Sequence, residues 1–430
     1  MMVYPDGFTG ALMAVESFKD GRAVIHGPGG CRSYHSYAAS RCYTKSNPGD
    51  CEKYSVPYFF GQSRVPCTYM DEDDYIHGSG EKIEESLPIL CSRDDMFNVF
   101  IKSPGAALIG DNITDAIERA GYSDKALAVE ESLISRPFSS GYDHTVRTVL
   151  QWINPEKRKT RPGTVNILGL PISGKDWESA LEDLRQMLEL IGLEVISSPG
   201  AGCSREDIAE SVAAEYNVIV SNEYCARTAD FYLKNYGIPA IRSDMGAPVG
   251  FDATEKWVEL TASKTGKDAE PIKELIRHLK GRVFRQIRGT LFTNKIKGND
   301  FVAMSDASVL LPLTEWLYGY LGMIPLSVTP NPGEDDETAA HIRRFLKIIG
   351  AEDAWRSNPA YKKTDFVFAD GHTAELSEMY DLCRKGVDIG YPSLSRIGFL
   401  PRPVYGLYGA MYLLDEIFSK PAQFKKWSAH

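Results

Sequence analysis

Pairs of the form CxxC are absent, although the 430-residue chain carries eight cysteines, at positions 31, 42, 51, 67, 91, 203, 225 and 383. A disulfide framework is not expected in a large chain read as intracellular. An excess of basic residues is absent too. The net charge of −10 argues against nucleic acid or an anionic membrane as a partner. No apolar run reaches the roughly 18 residues of a membrane span. The N-terminal MMVYPDGFTG has no basic flank before an apolar core, so no signal peptide is expected and the chain is read as cytoplasmic. Neither G-x-G-x-x-G nor G-x-x-x-x-G-K-[ST] occurs, so neither of these phosphate-cradling loops is available and any ATP chemistry belongs to another chain.

What is present is ordinary for a soluble globular protein: 43% hydrophobic and 25% charged residues, at a length that suggests two or three domains. Strand and helix patterns alternate from residue 164 to 242, as TVNILGL, DWESALEDLRQMLELIGL, LEVISS, SREDIAESVAAEY, NVIVSN, ARTADFYLKNYG and IPAIRS. The alternation returns in NDFVAMS, ASVLLPLTEWLYGYLG, MIPLSVTP, EDDETAAHIRRFLKIIG and TDFVFAD, and the first 150 residues offer AVIHG, NVFIKS and ALAVEE as strands. Such repetition predicts parallel sheets covered by helices on both faces. The expected fold is α/β, with three doubly wound, Rossmann-like domains. They comprise residues 1–160 plus 388–430, then 161–255, then 256–387. PEKRKTRPG (155–163) reads as a linker, and residues 255–282 as a helical bridge opening the third domain. The apolar tail VYGLYGAMYLLDEIFSK is expected to pack back on the first domain. Ligands in such folds bind beyond the carboxyl ends of strands, in crevices between domains.

The stretch VIHGPGGC (24–31) holds the densest local signal. Gly27, Gly29 and Gly30 let the backbone leave the strand sharply and approach something bulky. A helix starting there would aim its N–H groups and positive end at Cys31 and favour the thiolate. Four readings compete. A phosphate cradle lacks its pattern, and a cysteine nucleophile has His26 and His35 nearby but no completed triad. An iron–sulfur ligand needs a thiolate on a close-approach loop. The plainest reading is a buried cysteine in a glycine turn. Five of the eight cysteines lie in the first 91 residues, by chance or as part of a metal centre.

The stretch resembles the nitrogenase component-1 superfamily, in which a cysteine after an HGPxGC-type loop binds an iron–sulfur cluster at a subunit interface. Further matches follow in order: DGFTGALMAVESF (6–18), SRVPCTYMDEDDYIHGSGEKI (63–83), SPGAALIGDNI (103–113) and NVIVSNEYCARTADFYLKNYGIPAI (217–241). The resemblance spans essentially the whole chain. It implies a cluster, 4Fe–4S or larger, with Cys31 as a metal ligand. At the first ligand position stands Asp6, read either as a ligand, as the resemblance to dark-operative protochlorophyllide reductase implies, or as a helix cap. The third position reads Lys102-Ser103-Pro104, with Cys67 as a substitute ligand. Cys91 reads as packing, and Cys42 and Cys51 are weak candidates. A cluster shared between chains needs only two or three ligands from each.

The family's second site is a cavity between domains that holds a metal cofactor through one cysteine and one histidine. Cys225 falls near that cysteine, but residues 388–403, DIGYPSLSRIGFLPRP, contain no histidine. That argues against a cofactor held in the same way and leaves a different cluster or an organic molecule such as a tetrapyrrole. Asn222, Glu223, Ser305, Asp306, Asp370, Gly371 and His372 follow predicted strands. Asp370 and His372 are candidate proton donors, although Asp370 and Asp306 equally read as helix caps. Arg396 and Arg402 bracket a loop and read as ligands for a carboxylate or as partners of surface acids. The MDEDDY run (70–75) reads as a solvated face or a partner-docking patch.

Two functions from different classes follow from the resemblance. One is a reductase subunit that pairs with a homologous component-1 chain, takes electrons from an ATP-dependent iron–sulfur reductase, and relays them through an interface cluster to a substrate or metal cofactor. The other is a scaffold that assembles or holds a metal cofactor without turnover. A solute-binding protein would share the βα units but lacks the expected leader and would not explain the cysteine-bearing glycine loop.

Overall fold

The computed structural model describes residues 5–43, 45, 64–290, 296–333, 335–358, 363–393 and 398–419; at Cys31 and Thr290 it describes the backbone but not the side chain. Cys51 and Arg396, both singled out from sequence, lie outside the described residues. The chain divides into two compact units, residues 1–173 with 193–242, and residues 174–192 with 243–430.

The first unit holds two parallel sheets. One is built from β1 (Gly21–His26), β2 (Phe97–Lys102) and β3 (Ala126–Val129), with Ile25 in register with Ile101. A parallel bridge from Cys67 to Ile25 extends it beyond β1. The other sheet holds β4 (Thr164–Leu168), β5 (Glu194–Ser197), β6 (Tyr216–Ile219) and β7 (Ala240–Ile241) in the order β5-β4-β6-β7. The second unit holds β8 (Asp300–Ser305), β9 (Ile324–Pro330), β10 (Thr364–Asp370) and β11 (Cys383–Gly390), ordered β11-β10-β8-β9.

All three sheets share one topology. The first strand lies inside, the second pairs on one side of it, and the third and fourth extend the other side. In the first sheet the 67 bridge takes the second place. Each sheet therefore reverses its winding between its first and third strands, the place where open α/β sheets bind ligands. The strands are apolar on both faces, as parallel strands covered by helices must be: Ala23, Val24, Ile25, Val99 and Phe100 are all fully buried.

The sequence-predicted strands are present, with the strands of the 164–242 run carrying only their apolar cores as β-structure. Residues 155–163 run as coil from the Phe138–Ile153 helix into β4, inside the first unit. The expected three-domain division treats each sheet separately, whereas the compact units group the first two sheets together. The bridge is two helices, Gly250–Thr265 and Glu270–Thr290. Gly266 ends the first in the left-handed region (φ 67°), and Pro271 sits in the first turn of the second, where it needs no N–H partner. The tail helix, Gly406–Phe418, expected on the first domain, packs within the second unit. It lies against the Trp177–Leu190 and Gly250–Thr265 helices and β11. Two contacts fix it there: the Tyr408 N–H donates to Asp183 at 2.9 Å, and the Tyr412 hydroxyl donates to the Asp388 carbonyl at 2.9 Å. The packed face is largely apolar, with one buried charge, Glu416, paired with Lys385 of β11 at 3.0 Å.

Candidate functional site

The reversal point of the first sheet lies between the ends of β1 and β2, and three sequence motifs meet there. His26, from HGPGGC, is the fully buried last residue of β1. Its Nδ1 lies 3.1 Å from the Thr68 hydroxyl and its Nε2 lies 3.0 Å from the Ser79 hydroxyl. Ser79, from HGSGE, donates its hydroxyl to Asp111 Oδ2 at 2.6 Å, and Asp111 belongs to LIGDN. One proton per hydroxyl fixes the directions. With the Ser79 proton committed to Asp111, His26 Nε2–H donates to Ser79 and Thr68 donates to Nδ1. The Thr68 oxygen in turn accepts from the Gly27 N–H at 3.1 Å. Burial holds the His26 pKa below its ordinary value, against the pull of Asp111, which keeps the ring neutral as this chain requires.

The glycines of this loop serve different purposes. A Cβ on Gly27 would lie 2.3 Å from the Ser103 hydroxyl oxygen, so the loop after β1 closes directly on the loop after β2. A Cβ on Gly29 would lie 3.1 Å from the Tyr69 ring, over which the Arg32 guanidinium stacks at 4.8 Å. Gly30 faces open space within this chain, with no atom within 4 Å of a would-be Cβ. Cys31 follows it in the first turn of the Gly30–Cys42 helix, where unpaired N–H groups and the positive helix end concentrate.

Asp6 caps the Gly7–Glu16 helix, and its Oδ1 accepts from both the N–H and the hydroxyl of Thr9 at 3.0 Å. The cap reading therefore describes its geometry and leaves Oδ2 uncommitted. Beside it stands His35, one helical turn after Cys31 and edge-on to Phe8 at 5.3 Å. Burial pushes the His35 pKa down to about 4, with Asp6 opposing, and its Nδ1 is buried with no hydrogen-bond partner among the described residues. Cys67 is buried beside β1. Ser103, at the third family position, is buried; its hydroxyl accepts from the Ala106 N–H at 3.3 Å and shapes its own turn. Among the described residues no three His, Cys, Asp or Glu side chains come together as a metal-binding group.

The reversal point of the second sheet lies after β4 and β6. Cys225 starts the Ala226–Tyr236 helix there and is buried, its thiol donating to the Ser221 carbonyl at 3.4 Å. Gly169, at φ 79°, passes so close that a Cβ would meet this sulfur at 2.8 Å. Burial, then Asp143 and Glu223, raise the thiol pKa well above its ordinary value, so Cys225 is held as a neutral thiol in a tight turn. Sequence reasoning missed Asp143. This buried carboxylate accepts from the Arg227 N–H at 2.7 Å, the Thr228 N–H at 3.0 Å and the Thr228 hydroxyl at 2.7 Å.

In the second unit the reversal point follows β8 and β10. Asp370 caps the Gly371–Met379 helix through the Thr373 N–H at 2.9 Å, and burial raises its pKa. The His372 N–H donates to the Pro392 carbonyl at 3.0 Å. Next to them Asp388, fully buried, accepts from Lys175 at 2.7 Å and from the Ser393 hydroxyl at 2.5 Å. Asp306 accepts from the Asn331 amide at 2.9 Å. Arg402 is committed to acids: its N–H donates to Asp176 at 2.6 Å and its guanidinium lies 3.5 Å from Glu416. The Asp71–Asp74 stretch of the acidic run forms a capping box and pairs with Lys82 at 2.6 and 2.5 Å, which accounts for it locally. No helix among the described residues is long and apolar enough to cross a membrane.

Three parallel sheets of one winding, each with polar loops at its reversal point, define a class of repeated Rossmann-like α/β proteins. The sequence matches the family described as nitrogenase component 1 type oxidoreductase over residues 7–420, and the chain belongs to that family. It is 21% identical over 451 residues to a nitrogenase molybdenum-iron protein beta chain of Methanococcus maripaludis, covering 95% of this chain and 91% of the relative. It is 24% identical over 334 residues to one of the subunits of the light-independent protochlorophyllide reductase of Chloroflexus aggregans, covering 75% of this chain and 60% of the relative. Among solved structures, "Nitrogenase Cp1 at pH 6.5" superposes with a TM-score of 0.75 at 17% identity, over 97% of this chain and 92% of that one.

Proposed function

We propose that the chain is one subunit of a nitrogenase-like reductase, paired with a homologous component-1 subunit and supplied with electrons by a separate ATP-dependent iron–sulfur reductase. The observation that carries this reading is the meeting of HGPGGC, HGSGE and LIGDN through His26, Ser79 and Asp111 beside Cys31. An iron–sulfur cluster held there would supply one-electron transfer at low potential. Cys31 would be its principal ligand from this chain, with Asp6 and Cys67 as further candidates. The open face at Gly30, the uncommitted Oδ2 of Asp6 and the orphaned Nδ1 of His35 fit a group seated at this edge. Ser103 does not fit as a ligand, because its hydroxyl is engaged in its own turn.

The loop residues have defined tasks in this reading. Gly27, Gly29 and Gly30 bring backbone close to the bound group. His26 holds the loop through the Gly27 N–H relay. Substrate chemistry belongs at the other strand ends, with Cys225 and Arg396 as binding candidates and a tetrapyrrole or a second metal group as candidate occupants. Asp370, whose carboxyl burial keeps protonated to higher pH than usual, is the proposed proton donor, with His372 beside it. A scaffold that holds a cofactor without turnover is the alternative, favoured by the occupied hydroxyl at Ser103 and the lack of histidine in 388–403.

The test is anaerobic purification with the partner subunit and the electron donor. The reductase reading expects ATP-dependent reduction followed by substrate turnover. A scaffold would exchange its cofactor without turnover.

A further inference from the structure

The second sheet of the first unit carries polar side chains through its interior. Register places Ser197 of β5 beside Asn166 of β4, and Asn166 beside Asn217 of β6. Parallel strands covered by helices are apolar as a rule, yet both asparagines are fully buried and Ser197 is only 3% exposed. Asn166 Nδ2 uses both of its protons. One goes to the Ser211 carbonyl at 2.9 Å and the other to Asn217 Oδ1 at 2.9 Å. Asn166 Oδ1, Asn217 Nδ2 and the Ser197 hydroxyl have no hydrogen-bond partner among the described residues. Turning an amide over does not repair this. A reversed Asn166 would set its oxygen against the Ser211 carbonyl oxygen, and a reversed Asn217 would set nitrogen against nitrogen. An acceptor and a donor are therefore orphaned on two side chains already joined by one hydrogen bond. Native interiors avoid such half-paired amides almost without exception.

We propose that these side chains form an internal hydration site. Ordered water donates to Asn166 Oδ1 and accepts from the Asn217 Nδ2–H, with the Ser197 hydroxyl as a further partner. Water fits because it both donates and accepts, as an orphaned acceptor near an orphaned donor requires. An ion does not fit, because the three side chains offer only neutral dipoles and a buried ion needs an opposite charge. The site also has a structural task. Ser211 ends the Arg205–Ser211 helix, and its hydroxyl lies 2.7 Å from the Tyr232 hydroxyl on the Ala226–Tyr236 helix. The hydrated asparagine pair thus ties β4 and β6 to two covering helices, the second of which opens at Cys225. This inference stands apart from the reductase reading.

The test is a crystal structure of the full chain at a resolution that shows ordered water. Water density is expected about 3 Å from Asn166 Oδ1 and from Asn217 Nδ2. Asn217→Leu, which removes the donor and fills its space, should abolish that density and leave the rest of the sheet in place. Should the variant fail to fold, the unaltered protein labelled with nitrogen-15 asparagine reads the same site in solution. Magnetisation should pass from a long-lived water to a buried side-chain amide. Orphaned atoms bonded straight to protein groups, apolar side chains filling the space between them, density that persists in Asn217→Leu, or no transfer from water overturns the proposal.

Discussion

His26 Nε2 and Asp111 Oδ2 stand 3.6 Å apart, and the Ser79 hydroxyl between them is hydrogen-bonded to both. The two ends of this bridge are 85 residues apart in sequence, by subtraction of 26 from 111, and its middle comes from a third segment. It fixes the loop after β1, and with it the start of the helix that carries Cys31.

Removing the middle of the bridge leaves a buried imidazole N–H without an acceptor. Ser79→Ala should cost roughly 1–3 kcal/mol in denaturant unfolding. Thr68→Val, at the other ring nitrogen, should be non-additive with it, because both act through His26. Additive losses would mean that the two hydroxyls are independent.

The closure of Gly27 on Ser103 makes a steric prediction. Gly27→Ala should destabilise the first unit by about 1–3 kcal/mol, as overpacking of a filled site does. Ser103→Gly in the same chain should recover part of that loss. A double-mutant cycle checks it, and a coupling near zero would contradict the contact.

Asp183, where the tail helix docks, makes a pH prediction. Burial raises its pKa to about 6, against about 3.9 in an unfolded chain. Between those values the folded state holds a proton that the unfolded state has released. Its contribution is therefore fully present below about pH 4 and is lost as pH rises through about 6, on the order of 3 kcal/mol in all. Asp183→Asn should remove that part of the pH dependence. The check is the difference between the two unfolding free energies from pH 4 to 7.5.

The βα units were legible because buried parallel strands are written as short apolar runs, such as NILGL and FVAMS, bounded by glycine or polar turns. β11 escaped notice because its first half, Cys383 to Gly386, carries Arg384 and Lys385, whose side chains are not fully buried. The Phe138–Ile153 helix was missed because its first turns hold Ser139, Asp143 and His144, all buried, the last two against partners far away in sequence. The tail helix, expected on the first domain, groups with the second unit, because an apolar face does not say which surface it meets. At the site, HGPGGC and LIGDN were visible as motifs, but their connection runs through Ser79, a small residue with no signature of its own. Paired glycines around it, in HGSGE, were the one available signal.

The most direct measurement is the iron and acid-labile sulfide content of the complex purified without oxygen, for the unaltered chain and for Cys31→Ala. The account predicts a brown protein carrying both elements, and their loss in the variant with the fold intact. A colourless unaltered protein under full iron supply with its partner present, or a variant that keeps its full iron and sulfide, would contradict it.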